Sequence, residues 1–116
     1  MSYQRLDVFY VELTGNVGSV QGGLRPCILI GNNISLRFSD AIMVVPLTSK
    51  LNKAKLPTHL KVKEDFLKSE SVCLFEQIMT VSKQQLKDKL GTLDSTYIDA
   101  INEKIEISLG IAPAYA

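Results

Sequence analysis

The sequence has little of what most enzymes use as nucleophiles, general bases or metal ligands. Its 116 residues include one histidine, two cysteines and no tryptophan. Cys27 and Cys73 lie in the apolar stretches PCILI and SVCLF without CxxC spacing, so we interpret both as small buried hydrophobes. With no clustered carboxylates either, the inventory argues against a zinc site, and we expect no metal and no cofactor.

Motifs for nucleotide binding and for membrane insertion are also missing. The glycine-rich stretch GSVQGG is followed by neither a helix start nor the GK pair of a phosphate-binding loop. No apolar run approaches the length of a membrane span, and the N-terminus has no apolar signal region. We therefore expect a cytoplasmic protein that does not associate with membranes.

Length and composition predict one domain over residues 1–116, large enough to bury a core without disulfides. The net charge of +1 says nothing about partners, but the distribution of charge does. Between Leu13 and Lys63 the only acidic residue is Asp40. Basic residues in that span are Arg25, Arg37, Lys50, Lys53, Lys55, Lys61 and Lys63. This half of the chain favours a polyanionic partner, although a solvated lysine-rich loop explains the pattern equally well.

Short segments of β-forming residues predict a mainly β (α+β) fold, a small barrel or sandwich. The expected strands are Asp7–Leu13, Pro26–Asn32, Ala41–Leu47, His59–Lys63 and Ser71–Val81, the last bending near Glu76–Gln77. Two long connections, Thr14–Gly23 and Ser49–Pro57, are candidate functional loops. The stretch SKQQLKDKL is expected to hold one short helical turn.

A C-terminal helix is predicted from the isoleucine spacing of TLDSTYIDAINEKIEISLG. Asp94 or Ser95 can cap its start, and Gly110 can end it. The face expected to pack on the barrel carries Ile98, Ile101, Ile105 and Leu109.

Arg25 raises the main chemical question, because it stands between a glycine-rich loop and an apolar strand. A guanidinium there needs a partner, either a surface salt bridge with Glu76 or Asp7, or a substrate. Thr48 and Ser49 end the strand MVVPL. If the two strands are neighbours, Arg25 and Thr48 meet at one rim, where a guanidinium beside a hydroxyl suits a phosphodiester. Ordinary strand-end capping would also explain Thr48.

The only histidine, His59, lies in the lysine-rich stretch KAKLPTHLKVK. Such a histidine is more typical of a surface or RNA-contacting side chain than of a catalytic base.

The chain resembles the MazF/PemK-type toxins of bacterial toxin–antitoxin pairs, most of all the MazF proteins of Gram-positive bacteria. The resemblance runs from about Arg5 to Leu109 and includes QGG-x-RP before a strand, then LTS, then KAKLPTH, in that order. It implies an SH3-like β-barrel with a C-terminal α-helix that forms a homodimer.

The resemblance also implies an activity, the metal-independent cleavage of single-stranded mRNA at a short sequence. RNA supplies its own nucleophile, the 2′-OH, and the products carry a 2′,3′-cyclic phosphate and a 5′-OH. In relatives the Arg of RP and the Thr of LTS are the catalytic pair, which implies Arg25 and Thr48 here. Because the pKa of arginine is above about 12, we expect Arg25 to stabilise charge rather than act as a base.

Around this pair, the resemblance implies an RNA groove and a small acidic MazE-like antitoxin whose disordered tail fills it. Lysines are expected to follow phosphates, and neutral side chains to read or wedge bases. The candidate RNA-binding residues are Ser19, Gln21, Ser49, Lys50, Lys53, Lys55, Leu56, Pro57, His59 and Gln77.

Three positions depart from the family's usual sequence. Relatives typically have Gly at the position of Leu6, often Glu at Val20, and in many cases Arg at Met79. These changes can alter the RNA sequence that is cut or weaken the activity. Two alternatives therefore stay open: a member that binds RNA or antitoxin without cutting, and a gyrase poison of the CcdB type, which shares the fold.

Overall fold

Seven antiparallel strands and two helices make up the described part of the chain. The computed structural model describes residues 2–15, 18, 20–51 and 55–114. The strands are β1 (Asp7–Leu13), β2 (Gly23–Leu29), β3 (Ala41–Thr48), β4 (His59–Val62), β5 (Ser71–Leu74), β6 (Met79–Ser82) and β7 (Leu86–Thr92). The helices are α1 (Asn33–Phe38) and α2 (Ile98–Ser108).

The strands form one strongly bent sheet in the order β4-β5-β3-β2-β1-β7, with β6 also paired to β3. The mainly β fold with a C-terminal helix is therefore confirmed. The sheet is not closed, since β4 and β7 end the strand order without pairing to each other in the described residues. Its curvature nevertheless gives a small barrel-like shape.

The bend predicted near Glu76–Gln77 is present as a 3₁₀ turn over Phe75–Gln77. Leu47 pairs with Cys73, whereas Val44 pairs with Met79, so three residues of β3 are matched by six of the partner segment. The turn takes up the three additional residues and divides the expected long strand into β5 and β6.

Both faces of the sheet are buried, which explains why its strands are apolar runs. Val8 belongs to a core cluster that α2 covers with Ile101, and the next residue, Phe9, belongs to a second cluster that includes Leu36 of α1. Cys27 lies in the second cluster, completely buried, and burial raises the pKa of its thiol to about 12. Both cysteines are free and buried, as expected.

Two elements were not predicted from the sequence. In α1, the side chain of Asn32 caps the helix by accepting the backbone N–H of Ser35. In β7, consecutive charged residues of alternating sign lie along a strand that pairs with the otherwise open edge of β1. Charged side chains are common on edge strands, where they block further pairing. The helical turn expected in this region occupies only Lys83–Gln85.

The predicted apolar face of α2 is only partly correct. Ile101 is fully buried and Ile105 packs against the same cluster. Ile98 and Leu109 are exposed because they stand at the two ends of the helix, beyond the part that covers the sheet. Asp94 caps the 3₁₀ turn that precedes α2, and Gly110 follows the helix with φ of +75°.

Leu6 adopts a left-handed backbone conformation, with φ of +77°. Its side chain is 5% exposed and packs in the first core cluster. A left-handed conformation costs an L-residue roughly 1–2 kcal/mol that glycine avoids. Leu6 is thus a strained residue whose buried side chain offsets the strain.

We predict that Leu6→Gly is more stable than Leu6→Ala, by about 1 kcal/mol, although both lose the buried side chain. Elsewhere glycine destabilises a fold relative to alanine. Urea denaturation of the two variants beside the wild type measures the difference. A lower midpoint for Leu6→Gly than for Leu6→Ala would contradict the strain.

Candidate functional site

Pairing of β2 with β3 brings Arg25 and Thr48 together. Cys27 pairs with Pro46 and Leu29 with Val44 in an antiparallel register. Arg25 and Thr48 each lie two residues beyond the Cys27–Pro46 pair, toward the same end of the two strands. Both residues line one cleft at this end of the strands, together with Ser49.

The Arg25 guanidinium is exposed and has no carboxylate partner in the part of the chain that the structure describes. Its Nε donates a hydrogen bond to the carbonyl of Gly22 at 3.0 Å, which fixes the side chain beside the turn into β2. The salt bridges considered from the sequence do not form, because Asp7 pairs with Lys89 and Glu76 is engaged elsewhere. The terminal nitrogens of Arg25 are thus available to an anion.

Thr48 is 5% exposed and ends β3 next to Arg25. Its Oγ1 accepts a hydrogen bond from the backbone N–H of Lys50 at 3.2 Å, so the capping expected from the sequence is present. That bond uses the oxygen as an acceptor and leaves the hydroxyl proton for another partner. Capping and ligand binding are therefore compatible at this residue.

Other residues that line the cleft were not singled out from the sequence. Tyr10 comes from the middle of β1, and Lys68 and Ser69 come from the connection between β4 and β5. Lys68 and Ser69 reach the cleft because this connection folds back onto the sheet, where Phe66 packs against Gly91 of β7. No motif or spacing in the sequence marks that approach.

A second cleft adjoins the first at the end of β3, where Ser49 lines one and Lys50 lines the other. It gathers four of the candidate RNA-binding residues with three others: Lys50, Leu51, Lys55, Leu56, His59, Lys61 and Val72. None of its lysines forms an ion pair with a described residue. Three cations beside exposed leucine side chains suit a strand of phosphates and bases.

His59 is held in a hydrogen-bonded pair with Glu76. Its Nε2 lies 3.1 Å from the Glu76 carboxylate, and its Nδ1 accepts the backbone N–H of Leu56 at 3.4 Å. The other carboxylate oxygen of Glu76 accepts the Thr58 hydroxyl at 2.8 Å. Both ring nitrogens have protein partners, so His59 fixes the shape of the second cleft and is not a free base.

Opposing effects act on the pKa of Glu76. Partial burial raises it, but hydrogen bonds from its own backbone N–H, Thr58 and His59 outweigh burial. The pKa of Glu76 is therefore below its ordinary value. The ionised carboxylate is the form that holds the histidine in place.

Gln21, Pro57 and Gln77, the remaining candidates among the described residues, do not line either cleft. The side-chain oxygen of Gln77 accepts the backbone N–H of Gln21 at 2.9 Å, which joins the glycine-rich loop to the 3₁₀ turn. The carbonyl of Pro57 accepts Lys104 Nζ of α2 at 2.9 Å. Ser19 and Lys53 lie outside the described residues.

Across the described ranges, no group of three or more His, Cys, Asp or Glu side chains is placed to hold a metal ion. Within the same ranges no helix is long and apolar enough to span a membrane.

Comparison with known proteins gives the family. The family described as PemK-like, MazF-like toxin of type II toxin–antitoxin systems matches residues 4–109. The chain is 42% identical over 113 residues to Endoribonuclease EndoA of Bacillus subtilis, covering 96% of this chain and 97% of that protein. It is 39% identical over 110 residues to Endoribonuclease MazF of Staphylococcus saprophyticus, covering 93% and 92%.

Solved structures share the fold at lower identity. MazF (Form-I) from Deinococcus radiodurans superposes with a TM-score of 0.80 at 16% identity, over 95% of this chain and 98% of that one. A mycobacterial endoribonuclease in complex with its cognate antitoxin gives 0.76 at 22% identity, over 96% and 98%.

We predict that Glu76→Gln makes the stability less dependent on pH in the acidic range. A carboxylate whose pKa is lowered in the folded state stabilises it above the unfolded pKa, and this is lost as the pH falls through the folded pKa. Between pH 7 and pH 3, the urea midpoint of the wild type should therefore fall further than that of Glu76→Gln. Glu103→Gln, at an exposed position on α2, should behave as the wild type. Parallel curves for Glu76→Gln and wild type would contradict the prediction.

Proposed function

Since the chain belongs to the PemK-like, MazF-like toxin family, we propose that it is an endoribonuclease toxin that cleaves single-stranded mRNA at a short sequence. The observation that carries the proposal is the cleft lined by both Arg25 and Thr48, in which no carboxylate of the described residues pairs with the guanidinium. An exposed guanidinium held by its Nε alone is a phosphate-binding group.

The proposed reaction uses the substrate's own nucleophile. The 2′-oxygen bonds to the adjacent phosphorus, the bond from phosphorus to the 5′-oxygen breaks, and the products are a 2′,3′-cyclic phosphate and a 5′-OH. The 2′-OH gives up its proton to solvent, and the 5′-oxygen takes one, so no further reactant is consumed. Because the nucleophile belongs to RNA, a chain poor in histidine and cysteine can still catalyse the reaction, and we propose that it needs no metal.

Each residue of the pair has a role in this scheme. Arg25 neutralises the charge that develops on the phosphoryl oxygens, through the terminal nitrogens that Gly22 leaves free. The Thr48 hydroxyl donates a hydrogen bond to a phosphoryl oxygen, or gives its proton to the leaving 5′-oxygen and regains one from solvent. Its own position is fixed by the Lys50 N–H, so the donor is already oriented when substrate binds.

The second cleft supports single-stranded RNA as the substrate. Lys50, Lys55 and Lys61 offer charges for phosphates, and Leu56 offers an exposed apolar surface for a base. Bases must be unstacked to be read by such a surface, and they are accessible in single strands. The candidates Gln21, Pro57 and Gln77 would border the strand, and Ser19 and Lys53 belong to the same two loops.

We propose a homodimer in the cytoplasm, neutralised by a cognate acidic antitoxin of the MazE type whose tail occupies the same basic cleft. The relative that was solved as an endoribonuclease in complex with its cognate antitoxin supports this partner. RNA and antitoxin would then compete for Lys50, Lys55 and Arg25.

The test is incubation of the purified protein with a long single-stranded RNA in EDTA, with cleavage mapped by primer extension. We expect cuts at one short recurring sequence and loss of cutting when the antitoxin is added. Intact RNA would favour a member that only binds, and trapped cleavage of DNA by gyrase would favour the CcdB-type alternative. Undiminished cutting in the presence of the antitoxin would contradict the shared cleft.

We predict that Arg25→Ala lowers kcat/KM at the mapped site by about 10³-fold and Thr48→Val by about 10²-fold, as expected for lost charge stabilisation and a lost donor. Thr48→Ser keeps the hydroxyl and should stay within about tenfold of the wild type. Arg37→Ala removes an exposed arginine outside both clefts and should change nothing.

Thermal unfolding separates these effects from loss of structure. Because Arg25 is exposed, Arg25→Ala should unfold within about 0.5 kcal/mol of the wild type. Full activity in Arg25→Ala would remove Arg25 from the mechanism.

A further inference from the structure

We propose that Lys68 is a second cation of the Arg25–Thr48 cleft and binds a phosphate of the RNA strand held there. The inference rests on the proposed endoribonuclease function. Lys68 lies in the connection between β4 and β5 and lines the cleft with Arg25 and Thr48.

The backbone on the N-terminal side of Lys68 is fixed by packing. Phe66 covers Gly91 of β7 so closely that a Cβ at Gly91 would clash with the Phe66 ring. Leu67 is 8% exposed in the first core cluster, and its N–H donates to the Glu64 carbonyl at 3.0 Å. The residue before Lys68 is thus anchored in the core.

The C-terminal side is fixed by a hydrogen bond. The hydroxyl of Ser71, at the start of β5, donates to the carbonyl of Ser69 at 3.1 Å. Lys68 stands between two anchored residues, so its exposed side chain starts from a defined point on the cleft wall. A loop held on both sides presents its charge with little loss of backbone entropy on binding.

The charge of Lys68 has no ion-pair partner in the part of the chain that the structure describes. Among the described residues no carboxylate forms an ion pair with it, although Asp65 and Glu70 are close in sequence. Glu64, the third acid of the segment, accepts the backbone N–H of Asp94 at 2.8 Å. An ammonium and a guanidinium that line one cleft, neither of them paired with a carboxylate of the described residues, favour an anion with more than one charged group, as a phosphodiester strand has.

Two cations suit the reaction better than one, because they act differently. Arg25 offers a planar fork of donors for two oxygens of one phosphate, whereas an ammonium is a point charge that follows a moving partner. Arg25 would hold the reacting phosphate, and Lys68 would add to the field that stabilises its charge and keep the strand in place.

The experiment compares Lys68→Gln and Lys68→Arg with Lys63→Gln, at the mapped cleavage site and over a range of salt concentrations. Lys63 is the matched control, because it is an exposed lysine of the same segment whose backbone, not its ammonium, bonds Tyr97. Loss of one phosphate contact to a single strand lowers the slope of log affinity against log salt by about 0.7.

We expect Lys68→Gln to lose about tenfold in kcat/KM at low salt and to show the smaller salt slope. Lys68→Arg keeps the charge and should behave as the wild type, as should Lys63→Gln. An unchanged salt slope in Lys68→Gln, or an equal loss of kcat/KM in Lys63→Gln, overturns the role of Lys68. The proposed function stands in either case as long as the wild type cleaves the RNA. If the wild type leaves RNA intact, the proposed function fails and this inference fails with it.

Discussion

The antiparallel pairing of β2 with β3 is the constraint on which the rest of the site depends. A slip of one residue would turn Ile28 and Leu29 toward the wrong core clusters, so burial on both faces fixes the register. That register carries Arg25 to the level of Thr48 at the end of the sheet. Hydrophobic packing several residues away from the charged group therefore positions Arg25 relative to Thr48.

Local hydrogen bonds to the backbone then hold the side chains of the cleft in position. The Gly22 carbonyl holds Arg25 by one nitrogen, the Lys50 N–H orients the Thr48 oxygen, and anchored neighbours hold the loop around Lys68. The two acids considered as partners of Arg25 are occupied, Asp7 by Lys89 and Glu76 by His59. A cleft with unpaired cations costs stability through mutual repulsion, and an anionic ligand relieves that repulsion.

Much of the fold was readable in the sequence, because strands buried on both faces are short apolar runs between turn residues. Arg25 and Thr48 were predicted from a motif at strand ends, where topology alone could bring them together. Lys68 was not predicted, because a loop that folds back leaves no periodicity in the sequence. β7 was missed because its charged residues are consecutive, so the strand does not alternate between apolar and polar positions. The His59–Glu76 pair was missed because only the bend after β5 places these two residues side by side.

The most direct measurement of the central claim, that Arg25 is kept unpaired for the reacting phosphate, is the coupling between the two groups. A single-stranded oligonucleotide lacking the 2′-OH at the cut position binds without being cleaved, and a neutral methylphosphonate at that position removes the phosphate charge. The affinities of the wild type and of Arg25→Ala for the phosphate and the methylphosphonate oligonucleotides together form a double-mutant cycle, which measures the coupling. The account predicts that neutralisation weakens binding of the wild type at least tenfold and leaves Arg25→Ala nearly unaffected. Equal weakening in both proteins would show that Arg25 does not contact that phosphate.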